Sequence, residues 1–224
     1  MKKPIPVARS VWRGVSVFMA AWALTACSSS PPVPEWQVNA KGSADRATEA
    51  WLRGDARIEA VEFARVRSAL ASTGQPALLA RAELLRCATR VASLVFEPCA
   101  GFEALAQDAA AAEQAYARYL AGTATAADAA LLPEAHRAML GPDAVPDAAL
   151  NAIQDPLSQL VAAGVLQRSG RASAAVAERA VVTASARGWR TPLRAWLLVQ
   201  QQRAQTAGAT GEVARLQRRI DLLR

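Results

Sequence analysis

The chain has 224 residues, of which 52% are apolar and 20% charged, with a formal net charge of +7. Four of its 26 basic residues (Lys2, Lys3, Arg9, Arg13) lie in the first 26 positions, so 22 basic residues face 19 acidic ones beyond them, a balance of +3. That charge is too mild to argue for a nucleic-acid partner, and the remaining 198 residues can build one core without needing a second domain.

In chain order, the first 13 residues are basic with no acidic residue, and residues 14–26 (GVSVFMAAWALTA) are apolar or small throughout. This is the layout of an export leader. The run falls short of the about 20 residues that a membrane-spanning helix needs, so a removable signal is expected, not a permanent span. The leader closes on Leu24-Thr25-Ala26-Cys27. With Leu24, Ala26 and Cys27 on the defining positions, it resembles the lipobox of bacterial lipoproteins. The resemblance implies a thioether-linked diacylglycerol on Cys27, cleavage just before it by a peptidase that reads Leu24 and Ala26, and N-acylation of the new terminus. Each buried methylene adds about 0.8 kcal/mol, so several acyl chains make a stable membrane tether. Ser28, standing where an aspartate favours inner-membrane retention in the enterobacterial proteins, implies an outer-membrane anchor facing the periplasm. An ordinary cleaved signal is the alternative.

Residues 27–42 are rich in Ser and Pro and lack periodicity, so an extended tether is expected, with Trp36 docked on the domain. An all-α domain is predicted for residues 43–224, in three stretches: N-terminal helices over 43–121, a Pro/Gly-broken middle over 122–155, and C-terminal helices over 156–224. Ser43 is the expected cap of a first helix ending at Gly54, and Asp55 caps a second, striped by Ala56, Ala60, Phe63, Val66 and Leu70. Pro76 opens a third helix, running to about Val95, whose two apolar stripes make it the expected centre of the N-terminal half. A helix capped by Asp108 runs to Leu120. Short helices follow over 126–132, 133–140 and 147–154. Asp155-Pro156 starts the next, Gly188 ends one over 171–187, Thr191-Pro192 starts another, and residues 212–224 close the chain with Arg215, Arg218 and Arg219 on a solvated face.

Cys27 being lipidated, Cys87 and Cys99 remain in an oxidising compartment, which predicts one disulfide, provided the chain reverses at once after its helix. Two separate buried thiols are the alternative. Two stretches read alike: Gly54-Asp55-Ala56 and Gly170-Arg171-Ala172 each lead a helix ended by glycine and restarted at proline. The second, with Ala175-Val176, is similar to the inner part of a tetratricopeptide repeat. No steady 34-residue period runs through the chain, so either a repeat-like array of helical hairpins or an irregular bundle is expected.

Chemistry has little foothold. The single histidine, His136, is expected on an exposed helix face with no nucleophile motif beside it. No metal-ligand spacing, cofactor motif or phosphate-cradling loop is present. Glu35, Glu97, Glu103 and Glu134 are carboxylates without a signature. Trp51, Tyr116, Tyr119, Trp189 and Trp196 are candidates to line a binding groove, with inter-helix packing as the alternative. The expectation is a non-enzymatic, lipid-anchored scaffold or adaptor for another envelope protein. A cell-wall glycan hydrolase using paired carboxylates, or an assembly factor for a secretion or pilus system, are the other readings.

Overall fold

The computed structural model describes residues 32–140 and 145–223; the expected leader, Cys27 and the first part of the expected tether lie outside them. Among the described residues there are eleven α-helices and two 3-10 turns, and no strand. None of these helices is long and apolar enough to cross a membrane.

The first helix, α1 (Glu35–Arg53), begins eight residues before the expected start at Ser43. The tether is correspondingly shorter, because residues 35–42 carry the first turns of a packed helix. Trp36, Ala40, Ser43, Ala47 and Ala50 recur at steps of three and four, one face turned inward. Ser43 therefore caps nothing; it is buried inside the helix, where its hydroxyl accepts from Arg46 Nη2. Gly54 ends α1 at φ 91°, a left-handed position open to glycine at little cost. Asp55 then caps α2 (Ala56–Ala71) by accepting from the Ile58 amide, as its side chain predicts. Small residues on α1 let the two helices lie close around Phe63, Val66 and Leu70, with Trp36 docked at the edge.

The third helix, α3 (Pro76–Ala92), touches α1, α2, α5 (Ala111–Ala121) and α8 (Pro156–Arg168), which bears out its central place. It stops at Ala92, not Val95: Leu94 turns to φ 59° and the Val95 amide bonds back to the Arg90 carbonyl. That reversal brings Cys99 within 5.8 Å, Cα to Cα, of Cys87, and the two are joined as a disulfide. A one-turn α4 (Ala100–Glu103) and a 3-10 turn (Ala106–Asp108) follow, so Asp108 ends a turn and does not cap α5.

The middle stretch is short-stepped, as its prolines require: a 3-10 turn (Ala126–Leu131), α6 (Glu134–Arg137) and α7 (Pro146–Ala152). Helix α8 is the spine of the molecule, since every residue from Gln159 to Leu166 is buried. It crosses α3 so closely that a Cβ on Gly164 would lie 2.2 Å from the Val91 carbonyl oxygen. Helices α9 (Ala174–Arg187), α10 (Arg190–Thr206) and α11 (Thr210–Asp221) complete the chain. Ser173 caps α9. Trp189, not Thr191, stands before α10, and Thr191 and Pro192 lie within its first turn.

In an open repeat array each hairpin meets only its neighbours. Here α3 packs on α8, and the start of α10 is fastened to the end of α1, 137 to 140 positions earlier. Trp189 Nε1 donates to Glu49, Arg190 Nε to the Arg53 carbonyl and the Thr191 hydroxyl to the Trp51 carbonyl. The helices form a closed, irregular bundle, the second of the two arrangements expected.

Candidate functional site

The aromatic residues expected to line a groove are instead packing residues. Trp196 is fully buried and its Nε1 donates to the Ala92 carbonyl, tying α10 to α3. Trp189 is buried against α1. Trp51, half-buried, donates to Ser93 Oγ while the Arg90 guanidinium stacks 3.9 Å from its ring. Tyr116 and Tyr119 stack with His136, the three ring centroids 4.9 to 6.0 Å apart.

His136 itself corrects an expectation. It is 2% exposed, pressed against α8 with Nε2 3.0 Å from the Ser158 carbonyl. A carbonyl only accepts, so Nε2 carries the proton and the buried, unpartnered Nδ1 is an acceptor. Burial pushes the imidazole below its usual range, and it pushes both tyrosine hydroxyls up.

The four candidate carboxylates are exposed and scattered: Glu35 opens α1, Glu103 ends α4, Glu134 opens α6 and Glu97 sits in the disulfide loop. The carboxylates that are buried are others. Glu59, Glu62, Glu83 and Glu113 are each engaged by arginine: Glu59 by Arg86 and Arg90, Glu62 by Arg46 and Arg65, Glu83 by Arg67, and Glu113 by Arg81. Glu59 displaces Ala60 from the buried stripe of α2, leaving Ala56 and Ala60 in solvent. A sequence signal existed, since Glu59 precedes Phe63 by four residues on that stripe. A cleft of about 250 Å³ opens beside this seam, between Arg67, Arg86, Arg90, Glu83, Glu97 and the disulfide. Its three cations are each paired, Arg67 with Glu83 and both Arg86 and Arg90 with the neighbouring Glu59. Among the described residues no cluster of His, Cys, Asp or Glu is arranged to hold a metal.

A larger hollow lies elsewhere, a groove of about 740 Å³ between α9 and α11 with α10 as its floor. Ala174, Ala177, Val181 and Val182 line one wall and Leu216 the other, while Val182 is 53% exposed at the lip. Three arginines border it. Arg203 donates both Nη groups to the Ala172 and Ser173 carbonyls, at 2.7 and 2.6 Å, which fixes the entry to α9. Arg215 forms a two-point pair with Glu212 and holds that carboxyl below the usual carboxylate range. Arg219 makes no hydrogen bond or ion pair among the described residues. Arg215 and Arg218 are exposed, as expected, whereas Arg219 is half-buried; Arg215 and Arg219 also border the groove.

No protein-family model matches the chain, and neither a curated protein nor a solved structure matches it. What the arrangement can do chemically is therefore read from its residues: the groove can take apolar side chains and present cations to their flank.

Proposed function

We propose that this chain is a lipid-anchored, periplasm-facing outer-membrane lipoprotein that works as a non-enzymatic helical adaptor and receives another envelope protein in the groove between α9 and α11. The observation that carries the reading is that groove: an open channel of about 740 Å³ between three helices, with an apolar stripe on α9 and charged residues along α11. The lipobox resemblance at Cys27 supplies the address. A disulfide between Cys87 and Cys99 fits an oxidising compartment. The glycan-hydrolase reading needs two free carboxyl groups facing each other across a cleft; beside the disulfide Glu83 is paired with Arg67, and in the α9/α11 groove Glu212 is paired with Arg215.

The test is site-specific photo-crosslinking in cells. A photoreactive residue at Val182, on the groove lip, is compared with one at Ile58, exposed on α2. A discrete adduct with one envelope protein from position 182 and none from 58 is expected. No adduct at 182, or the same adducts from both positions, contradicts the reading.

A further inference from the structure

We infer that the occupant of the α9/α11 groove is an amphipathic helix of a different protein, carrying large apolar side chains on one face and carboxylates along the edge that meets α11. The inference rests on the adaptor reading above and names the chemistry of its partner.

The size and shape of the groove set the first part. Helix α9 has 14 residues and so runs about 21 Å, room for roughly four turns of a docked helix. Its wall is built from Ala174, Ala177, Val181 and Val182, side chains too short to fill the space opposite Leu216. Large knobs at steps of three and four on an incoming helix complement such a wall. The concavity also excludes a flat bilayer surface.

Charge sets the second part. Arg203 spends its hydrogen bonds on backbone carbonyls, which leaves its positive charge without a carboxylate partner. Arg219, half-buried on the opposite wall, has neither a hydrogen bond nor an ion pair among the described residues. Arg215 is already matched by Glu212. Arg219 also acts on Glu212 through its charge, so three arginines in the groove face two carboxylates, Glu178 and Glu212, and leave one positive charge in excess. The α11 side therefore calls for carboxylates.

A second copy of this chain is a poor source of them. Val61 on its α2 lies one turn from both Arg57 and Arg65, Leu198 on α10 follows Arg194 by one turn and Leu222 follows Arg218 likewise, so each would bring cations against Arg203 and Arg219. Ile58 and Val38 have acidic neighbours, Asp55 and Glu35, but each also stands beside a cation, Arg57 and Lys41, so neither offers a carboxylate flank.

The experiment measures binding of two synthetic helical peptides to the full lipidated chain in detergent by fluorescence anisotropy. Both carry leucines at i, i+3, i+4 and i+7; one has glutamates and the other lysines along the same flank. The glutamate peptide is expected to bind about 5-fold tighter or more. Arg219→Glu should reverse that preference, and Val182→Arg, a change at an exposed position, should weaken the glutamate peptide at least about 10-fold. Equal affinity for the two peptides, or a preference that survives Arg219→Glu, overturns the carboxylate assignment. Binding that ignores Val182→Arg overturns the groove as its seat. A concentration-dependent dimer abolished by Val182→Arg overturns the choice of a foreign partner. The in-cell crosslink at Val182 does not depend on the partner's charge, so it separates failure of this inference from failure of the adaptor reading.

Discussion

At the scale of single residues, the enclosed histidine makes stability depend on pH in a window where few other groups titrate. Unfolding returns His136 to water, where its ordinary value is 6.5. The native state, in which burial disfavours the charged ring, binds the proton less tightly than the unfolded chain does. Stability is thus complete above that value and declines as pH falls through it toward the lowered native value. Asp128 and Glu212, held below the usual carboxylate range by Arg118 and Arg215, lose their contributions only at more acidic pH. The melting temperature should fall between about pH 7.5 and pH 5.5. His136→Gln, whose amide can still donate to the Ser158 carbonyl, should flatten that dependence, and an unchanged slope would count against the assignment.

Glu59 carries a second prediction at this scale. Its side chain is 4% exposed and neutralises both Arg86 and Arg90, the latter with a buried Nη1 that lacks any other partner. Removing one member of such a group strands the others, at a cost of about 3 kcal/mol or more. Urea denaturation of Glu59→Ala should show that loss as a lower midpoint. Glu49→Ala at the half-buried edge, which gives up an ion pair with Arg53 and the hydrogen bond from Trp189, should cost less, about 1 kcal/mol.

At the scale of elements, the helix ends were legible where their signals are local. Asp55 and Asp155 cap because their carboxylates reach amides three residues ahead, and Gly54, Gly122 and Gly188 end helices in the left-handed region. What was illegible depended on distant neighbours. Residues 35–42 look like a tether until α2 gives Trp36 and Ala40 a surface to cover. Ser43 looks like a cap until that same surface makes it an interior position. His136 looks exposed because the stretch around it is short and polar, and only α5 and α8 enclose it.

The crossing of α3 and α8 is the most demanding contact between elements. A methyl group at position 164 would meet a backbone oxygen, which cannot rotate away, so Gly164→Ala should separate the two helices that carry the core. A loss of at least about 3 kcal/mol, or no soluble folded protein, is expected; a melting curve like that of the native chain would contradict the packing described. The disulfide acts on a smaller part. Closing the short loop from Cys87 to Cys99 contributes about 3 kcal/mol in the chain-entropy model. Cys87→Ser with Cys99→Ser should lower the melting temperature by that equivalent, and reductant should do the same to the native chain while leaving the double variant unchanged.

At the scale of the whole molecule, the all-α class followed from the period of the apolar residues, whereas the closure of the bundle did not. Nothing in the order of residues states that Trp189, Arg190 and Thr191 return to the end of α1, because that contact spans most of the domain. The groove was hidden for the same reason: its walls are two helices that are not consecutive, and its apolar lining is mostly alanine and valine among charged residues. The aromatic residues drew attention as groove candidates because large rings dominate binding surfaces, yet in a bundle of small residues they are needed to fill the core.

The account of this molecule as an envelope adaptor depends first on its attachment, and attachment is decided at one sulfur. Mass spectrometry of the N-terminal peptide of the chain recovered from membranes tests it directly. The account predicts a chain that begins at Cys27, with diacylglycerol on the thiol and an acyl group on the amine. A free Cys27 thiol, or a chain that still carries residues 1–26, would contradict it.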